Sequence, residues 1–405
     1  MGQLTGILGI LALLGIAWFL SNNRKQIDYR IILWGLGLQI VFAIFILKTP
    51  IGQPFFSTVD GFIRRLLSFS DAGSDFLFKS FGEGYVEAPL LNFAFRVLPT
   101  IIFFSSLMAL LYHLGIMQAI VRGIAWAMQK TLKTSGAETL SVSANIFVGQ
   151  TEAPLMIRPF VGTMTQSELM AVMVGGFATV AGGVMAIYVK MLSDVPGIAG
   201  HLLAASIMSA PAAMVIAKII FPETGQPVTA GSVKIEVEKT ADNAMESISQ
   251  GATSGMKLAA NVAAMLVAFV AMVAMLNAFL GIFDTSLEEI FGVIFRPLAW
   301  TMGAPWNEAA TLGTLMGKKI VLTELIAYGD LRDLRLAHEI TDRTAIIASY
   351  ALCGFANFAS IGIQLGGIGG IAPERRKDLA KIGLKAMTGG ALASWLTATI
   401  AGLLL

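Results

Sequence analysis

The chain has 405 residues, of which 56% are hydrophobic and 13% are charged, and its formal net charge is +2. A soluble domain carries about 25% charged residues, so this composition argues against a water-soluble enzyme. It also argues against a disordered chain, which needs low hydrophobicity and high net charge. A net charge near zero creates no field that would attract nucleic acid. The single cysteine, Cys353, can form neither an intrachain disulfide nor a zinc site by itself.

Eight apolar runs predict membrane spans, since a span needs about 20 apolar residues. We expect the first run to be retained rather than cleaved as a signal peptide, because it has neither a basic segment before it nor a small-residue cleavage site. Pro211 is expected to kink the fifth run, which membrane helices tolerate. The runs are residues 4–20, 31–47, 97–114, 169–189, 202–220, 258–283, 345–365 and 382–405.

Two further stretches predict helices that lie in the plane of the membrane. Residues 54–69 place apolar side chains at helical spacing, with Asp60, Arg64 and Arg65 on the other face. Residues 287–300 are a weaker case of the same pattern. The polar loop at 223–246 alternates apolar residues at 233, 235 and 237, a pattern that fits a short hairpin.

Basic loops predict the orientation of the chain. Arg24, Lys25 and Arg30 follow the first run, and a second basic cluster at 375–381 follows the seventh. If the spans alternate, both loops lie on one side, and the positive-inside tendency makes that side cytoplasmic. Both termini are then expected to be periplasmic. We expect a bacterial inner membrane, since neither end carries a long tail.

Two stretches, residues 141–160 and 307–329, are too polar to be ordinary spans and too apolar to be loops. Each contains a Thr-Glu pair, and a long charge-free run with a Gly-Phe-Ala break follows each of them, at 176–178 and at 354–356. The same two motifs therefore occur twice in the same order. The Thr-Glu pairs are Thr151-Glu152 and Thr323-Glu324.

Three full spans separate the two Thr-Glu segments, and an odd number reverses the direction of the second copy. Inverted repeats with interrupted helices are typical of secondary transporters. Each Thr-Glu segment is expected to be a re-entrant hairpin, and Thr179 and Asn357 are expected to be unwound points. Non-helical backbone survives at that depth only against protein or water, so the four breaks should meet at one polar cavity. The sequence thus predicts an all-α polytopic membrane protein with about eight transmembrane helices, two re-entrant hairpins in an inverted repeat, and interfacial helices.

The motifs resemble those of the concentrative nucleoside transporter family, over nearly the whole length of the chain. The resemblance implies an ion-coupled importer of nucleosides such as uridine, cytidine and adenosine, embedded in the lipid bilayer as a homotrimer with a scaffold and a moving transport domain. It is carried by GQTEAP at 149–154, LTE at 322–324 and GFANFASIG at 354–362.

The resemblance also implies roles for single residues. The base of the nucleoside would be faced by Gln150, Thr151 and Glu152, with Val184 lining the same pocket. The ribose hydroxyls would be held by Glu324, Asn357 and Ser360, with Phe355 as a wall. The sodium ligands would be the side-chain oxygens of Asn145 and Thr179 and the carbonyls of Val148 and Val180. Thr179 and Gly183 stand where the family pattern has serine at both positions.

Four segments are expected: 1–135 with scaffold helices and an interfacial helix, 136–222 as the first repeat, 223–301 with the polar loop and a long scaffold span, and 302–405 as the second repeat.

Lys318 and Lys319 lie inside the second predicted hairpin. They could pair with a carboxylate, but we expect them to extend to the surface along their aliphatic stems.

The chemistry of these residue types agrees with the implied roles. A carboxylate accepts strong hydrogen bonds from two hydroxyls, and an amide offers a donor and an acceptor to a base edge. A carboxylate at the membrane midplane costs about 2.5–3.5 kcal/mol on insertion scales and is functional by default. Glu152 could instead lie at a helix end among lipid headgroups.

Three alternatives remain open. Proton coupling through Glu152 or Glu324 would need a buried carboxyl and no metal ligands. A membrane enzyme using the two glutamates is disfavoured, because no metalloprotease helix, nucleophile elbow or phosphate loop occurs in the sequence. A passive channel would also bring hairpins together at the midplane. We therefore expect a transporter, coupled to sodium, and not an enzyme.

Overall fold

The computed structural model describes residues 2–49, 54–64, 98–230 and 241–405. Within these ranges the protein is built from helices and connecting turns, and no strand occurs. The predicted all-α class is therefore confirmed for the described residues. The alternating residues at 233–237 lie outside the described ranges, as do residues 65–69 of the first predicted interfacial helix.

The described residues of the N-terminal part of the chain form five helices. The predicted run at 97–114 becomes a helix that continues, after a bend of 76°, into a second helix. That second helix is not among the predicted runs, because Arg122 and Lys130 interrupt its apolar pattern. The helices are α1 (Gly2–Phe19), α2 (Tyr29–Lys48), α3 (54–64), α4 (Leu98–His113) and α5 (Ile116–Leu132).

Five more helices lie in the described residues between 136 and 280. The non-helical tip that follows the first of them leads into two short helical turns, Ala153–Ile157 and Arg158–Val161. The helices are α6 (Gly136–Ala144), α7 (Gln166–Ala178), α8 (Gly182–Met191), α9 (Ile198–Ile220) and α10 (Ala244–Leu280).

The remaining helices belong to the C-terminal part of the chain. The weaker interfacial prediction at 287–300 coincides with the first of them. The predicted interrupted segment at 307–329 is a pair of helices separated by a two-residue break. The helices are α11 (Leu287–Thr301), α12 (Trp306–Val321), α13 (Glu324–Leu336), α14 (Asp342–Leu352), α15 (Phe358–Ile371) and α16 (Arg376–Leu404).

Four helical stretches in the described ranges are long and apolar enough to cross a membrane, and the bent pair α4–α5 would be a fifth. Helix α10 runs for 37 residues, about 55 Å at 1.5 Å per residue, and begins 14 residues before the predicted run. The four stretches are Tyr29–Lys48, Gln166–Met191, Ile198–Ile220 and Pro373–Leu404.

Two apolar runs are each split into two helices, as the sequence predicts. Helix α7 ends at Ala178, and Thr179 is extended, with φ −124° and ψ 166°. Helix α14 ends at Leu352, and the chain is extended again at Asn357, with φ −138° and ψ 163°. The side chain of Asn357 then caps α15, because its Oδ1 accepts from the Ser360 backbone N–H at 2.9 Å. Both unwound points are therefore confirmed.

The two breaks pack directly against each other. Gly354 has φ +115°, and a Cβ atom there would lie 2.6 Å from the Phe177 carbonyl oxygen. Phe177 is fully buried and lies so close to Gly390 of α16 that no side chain fits between them. Helix α16 also packs against α9 and α14, so the core of the protein is centred on the two breaks.

The polar face of α3 contacts protein. Asp60 accepts from the backbone N–H of Ala199, at the N-terminus of α9, at 3.1 Å. Arg64 bonds to Asp60 at 2.8 Å and to the Ser193 carbonyl at 3.0 Å. A carboxylate at a helix N-terminus is stabilised by the helix dipole, so these residues attach α3 to α9.

We expect Gly354→Ala to destabilise the protein. The substitution forces an alanine into a positive φ, which costs about 1–3 kcal/mol, and places its Cβ against backbone that cannot move aside. The measurement is the apparent thermal unfolding midpoint of the detergent-solubilised protein. Gly362→Ala in α15 is the control, because nothing lies within 4 Å of a Cβ there. Equal midpoints for the two variants would contradict the packing described at the breaks.

Candidate functional site

The break in the second helix pair carries a buried carboxylate. Thr323 caps α13, its Oγ1 accepting from the Ile326 N–H at 3.5 Å, so Glu324 is the first residue of that helix. Glu324 is 5% exposed. The Tyr188 hydroxyl donates to its Oε1 at 2.8 Å, and the Asn357 amide donates to its Oε2 at 2.9 Å. A carboxylate at a helix N-terminus also gains from the helix dipole.

A chain of amides and hydroxyls extends from this carboxylate to the first hairpin. The Gln150 amide donates to the Ser360 Oγ at 3.2 Å. The Gln364 amide donates to the Gln150 Oε1 at 3.0 Å and to the Met173 carbonyl at 3.1 Å. Gln150, Ser360 and Gln364 are all buried. The first hairpin tip, the second helix pair and the break before α15 therefore contribute to one buried polar cluster, which Tyr188 of α8 joins.

Four other predicted site residues surround this cluster at different depths. Val184 is buried, and Phe355 is half-buried against the core. Thr151 packs on α15, where Gly367 leaves room for its methyl group; a Cβ at 367 would lie 2.6 Å from the Thr151 Cγ2. Glu152 is exposed, and its carboxylate turns back over Gly149. In this conformation Glu152 is therefore not hydrogen-bonded to the cluster.

Sequence reasoning missed two members of the cluster, Tyr188 and Gln364. Tyr188 lies four residues after Val184 on α8, and Gln364 lies four residues after Ser360 on α15. Residues at this spacing share a helix face, so the pattern could have identified both. Tyr188 also stacks on Tyr328 of α13, with ring centroids 4.1 Å apart and planes 20° apart.

The four predicted sodium ligands lie on two adjoining segments. Asn145 ends α6, and Thr179 begins the break after α7. The segments are joined at the Phe147 carbonyl, which accepts from the Gly182 N–H at 2.9 Å. Val148 directly follows Phe147, and Val180 directly follows Thr179. The hairpin tip and the helix break thus bring all four predicted ligands into the same region.

One atom there supports a cation site. The Asn145 side chain is fully buried, and its Nδ2 donates to the Ser141 carbonyl at 3.1 Å. Its Oδ1 has no hydrogen-bond partner among the described residues. A buried polar atom without a partner is costly, and hard cations take carbonyl and hydroxyl oxygens as ligands. A sodium ion fits this donor set, with Asn145 and Thr179 as candidate side-chain ligands and Val148 and Val180 as candidate carbonyl ligands.

The two lysines of the second hairpin do not extend to the surface as expected. Lys318 is partly buried and pairs with Asp330 at 2.7 Å and with Glu288 at 3.4 Å. Lys319 is fully buried. The prediction was wrong because helices cover both sides of this part of the hairpin. Lys318 lies between α11 and α13, and Lys319 lies against the end of α14 and against α16.

A buried carboxylate, three side-chain amides and two hydroxyls meet where interrupted helices converge, in a chain with apolar helices long enough to cross a membrane. Interrupted helices that meet at a polar site are typical of secondary transporters. Buried ionisable groups inside a membrane protein mark such sites. The fold and the site therefore define a helical membrane transporter.

Comparison with known proteins identifies the family. Profiles described as "Na+ dependent nucleoside transporter N-terminus", "Nucleoside recognition" and "Na+ dependent nucleoside transporter C-terminus" match residues 8–81, 94–195 and 201–402. The chain belongs to the family of Na⁺-dependent nucleoside transporters.

Relatives of known sequence agree with this assignment. An uncharacterized transporter of Haemophilus influenzae is 43% identical and aligns with 100% of this chain and 98% of its own. Sodium/nucleoside cotransporter 1 of Mus musculus is 41% identical over 99% of this chain, which spans 64% of the mouse protein. Both relatives are described as transporters.

Solved structures of CNTnw have the same fold. CNTnw in an inward-facing substrate-bound state is 42% identical, with a TM-score of 0.90, over 100% of this chain and 98% of CNTnw. A doubly substituted CNTnw in an outward-facing state gives a TM-score of 0.89 at 40% identity, with the same coverage of both chains.

We expect Glu324→Gln to abolish transport without unfolding the protein. The substitution keeps the shape of the side chain and removes its charge. Hydrogen bonds to a charged group contribute about 1.5–3 kcal/mol each. Glu324 accepts two of them, so removing its charge should lower nucleoside uptake by about 100-fold or more. Uptake is measured in proteoliposomes at matched protein content. Glu339→Gln, at an exposed position after α13, is the matched control and should transport normally. Normal uptake by Glu324→Gln would rule out its role in the site.

Proposed function

We propose that the protein is a sodium-coupled secondary importer of nucleosides, of the uridine, cytidine and adenosine class. The observation that carries this proposal is the buried Glu324 carboxylate, held by Tyr188 and Asn357 beside the Gln150–Ser360 hydrogen bond. Family membership supplies the class of substrate and of coupling ion.

A nucleoside is neutral and combines a polyol with a flat base. In the proposal, Glu324, Asn357 and Ser360 bind the ribose hydroxyls, since carboxylate and amide oxygens accept from hydroxyls. A site built to bond hydroxyls rejects analogues that lack them by large factors. A 5′-phosphate would be repelled by the buried carboxylate.

The base is proposed to lie on the side of the first hairpin. Gln150 offers a donor and an acceptor to a base edge, and Thr151 and Glu152 follow it on the same tip. Val184 and Phe355 provide apolar walls. Glu152 is exposed in this conformation, so its contact with the base requires the tip to close.

Sodium is proposed to bind at Asn145, Val148, Thr179 and Val180. The unpartnered Asn145 Oδ1 favours a metal ion over a proton at this position, because residues 145–148 and 179–181 include no titratable group. The ion supplies positive charge at the hairpin tip. Asn145 and Gln150 lie five residues apart on that tip, so ordering of the tip by the ion would position the base-binding amide.

The membrane arrangement is also proposed. About eight helices span a bacterial inner membrane with both termini periplasmic, and the two hairpins are re-entrant in an inverted repeat. Residues 136–222 and 302–405 form the repeats, while 1–135 and 223–301 include the scaffold helices of a homotrimer. Helix α10 packs along α4 and the hairpins pack with α7 and α14, a division that supports alternating access by movement of one body against the other.

The test is uptake of radiolabelled uridine and adenosine into proteoliposomes, first with an inward sodium gradient and then with a proton gradient alone. Accumulation above the outside concentration, driven by sodium, is the expected result. Accumulation driven only by protons would keep nucleoside import and reject the sodium site. Equilibration without accumulation would indicate a passive channel.

We expect Asn145→Ala and Thr179→Ala to weaken the response to sodium. Loss of one ligand worth about 1.4 kcal/mol raises the half-saturating sodium concentration about tenfold, while uptake at saturating sodium is retained. The measurement is uridine uptake as a function of sodium concentration. Asn261→Ala, at an exposed position on α10, is the control. An unchanged sodium response in both site variants would contradict the assigned ligands.

A further inference from the structure

The two hairpins differ in one respect that bears on ion coupling. When Thr151-Glu152 is aligned with Thr323-Glu324, each residue of the second hairpin corresponds to the residue 172 positions earlier. Lys319 then corresponds to Phe147 in the sequence. Phe147 lies between Asn145 and Val148, the segment that offers oxygen ligands to sodium in the first repeat. The corresponding segment of the second repeat therefore carries a lysine side chain.

Lys319 binds to the helix break of its own repeat. Its Nζ lies 3.0 Å from the Ala351 carbonyl and 3.1 Å from the Cys353 carbonyl, at the end of α14. The third partner is the Ser394 Oγ of α16, at 2.8 Å. The side chain is fully buried. The last carbonyls of a helix have no partner within the helix and carry partial negative charge, so they form a natural site for a cation.

The contacts favour the charged form of the lysine. Both carbonyls can only accept, and the Ser394 hydroxyl can donate to the Ala391 carbonyl at 3.0 Å. Three acceptors then face Nζ, which matches the three N–H donors of an ammonium. We therefore assign a positive charge to Lys319.

The same hairpin carries a buried carboxylate. Among the described residues no carboxylate forms a direct ion pair with Lys319, and the buried Glu324 lies five residues later, at the start of α13. A buried carboxylate needs a compensating charge nearby. The second repeat carries a cation, Lys319, at its hairpin, whereas residues 145–148 and 179–181, around the unpartnered Asn145 Oδ1, include no cationic side chain.

We propose that the Lys319 ammonium is a tethered cation that does, in the second repeat, what the coupling sodium ion does in the first: it joins the hairpin to backbone carbonyls of the broken helix. This inference rests on the proposed sodium-coupled function. It follows that the nucleoside site is completed by one sodium ion from solution and one cation from the chain. The position beside the α14 break is closed to a second sodium ion.

The test removes the tethered cation and leaves its oxygen partners. Lys319→Ser opens space beside the Ala351 and Cys353 carbonyls and the Ser394 hydroxyl, which are ligands of the kind that hard cations take. The uridine dissociation constant is measured against sodium concentration in detergent. On logarithmic axes the slope counts the sodium ions taken up with each nucleoside. We expect a slope of one for the native protein and two for Lys319→Ser, with weaker binding that recovers at high sodium.

Three further variants separate this role from simple packing. Lys319→Arg keeps the charge and should retain a slope of one and uridine binding within tenfold of the native protein. Lys319→Met fills the space without charge, so uridine binding should fall at least tenfold at every sodium concentration. Lys318→Ser removes the neighbouring lysine, which pairs with Asp330 and Glu288, and should leave both slope and affinity unchanged.

A second readout does not depend on the nucleoside. Sodium should raise the thermal unfolding midpoint of Lys319→Ser more steeply than that of the native protein, because two ions bind in place of one. A slope of one in Lys319→Ser would overturn the proposal, as would the absence of uridine binding at any sodium concentration in folded protein. If Lys319→Ser does not fold, native-like binding by Lys319→Met would overturn it.

The failure of this inference differs from failure of the proposed function. If the native protein shows no sodium-dependent uridine binding, the sodium-coupled function itself is wrong. If the native protein binds uridine with sodium and the Lys319 variants do not follow the expected pattern, only the role of Lys319 is wrong.

Discussion

The structure depends on two helices that end inside the apolar interior. Backbone groups in a membrane have no water to bond, so non-helical backbone survives there only against protein or an aqueous cavity. The breaks at Thr179 and Asn357 meet this requirement by packing on each other, with Gly354 close to the Phe177 carbonyl. Each hairpin then contacts a break, and the buried polar side chains gather between the first hairpin tip, the second helix pair and the break at Asn357.

The same constraint explains why polar and charged groups concentrate at this point. A helix that ends leaves donors at one terminus and acceptors at the other. Glu324 lies at the N-terminus of α13, where negative charge is stabilised, and Lys319 lies at the C-terminal carbonyls of α14, where positive charge is stabilised. The interior therefore holds both charges through hydrogen bonds to backbone and side chains.

In the proposed function, these contacts also explain coupling between ion and substrate. One hairpin tip carries Asn145 for the ion and Gln150 for the nucleoside, and the Phe147–Gly182 backbone hydrogen bond ties that tip to the break after α7. A ligand that orders the tip thus also favours the arrangement needed by the other ligand. Tyr188, on the helix that follows this break, reaches across to Glu324 of the second hairpin.

Sequence alone determined the helical membrane class, because long apolar runs are a local signal. It also determined the repeated motifs and the two unwound points, because Thr179 and Asn357 are residue types that favour extended or helix-capping positions. It did not reveal α5, whose apolar face is interrupted by basic residues, nor the partners Tyr188 and Gln364. Only the tertiary structure decided that Lys319 is buried and Glu152 exposed. Side-chain depth depends on which helices cover a segment, here α14 and α16 over Lys319. Tertiary packing also brings together residues more than a hundred positions apart, such as Tyr188 and Glu324.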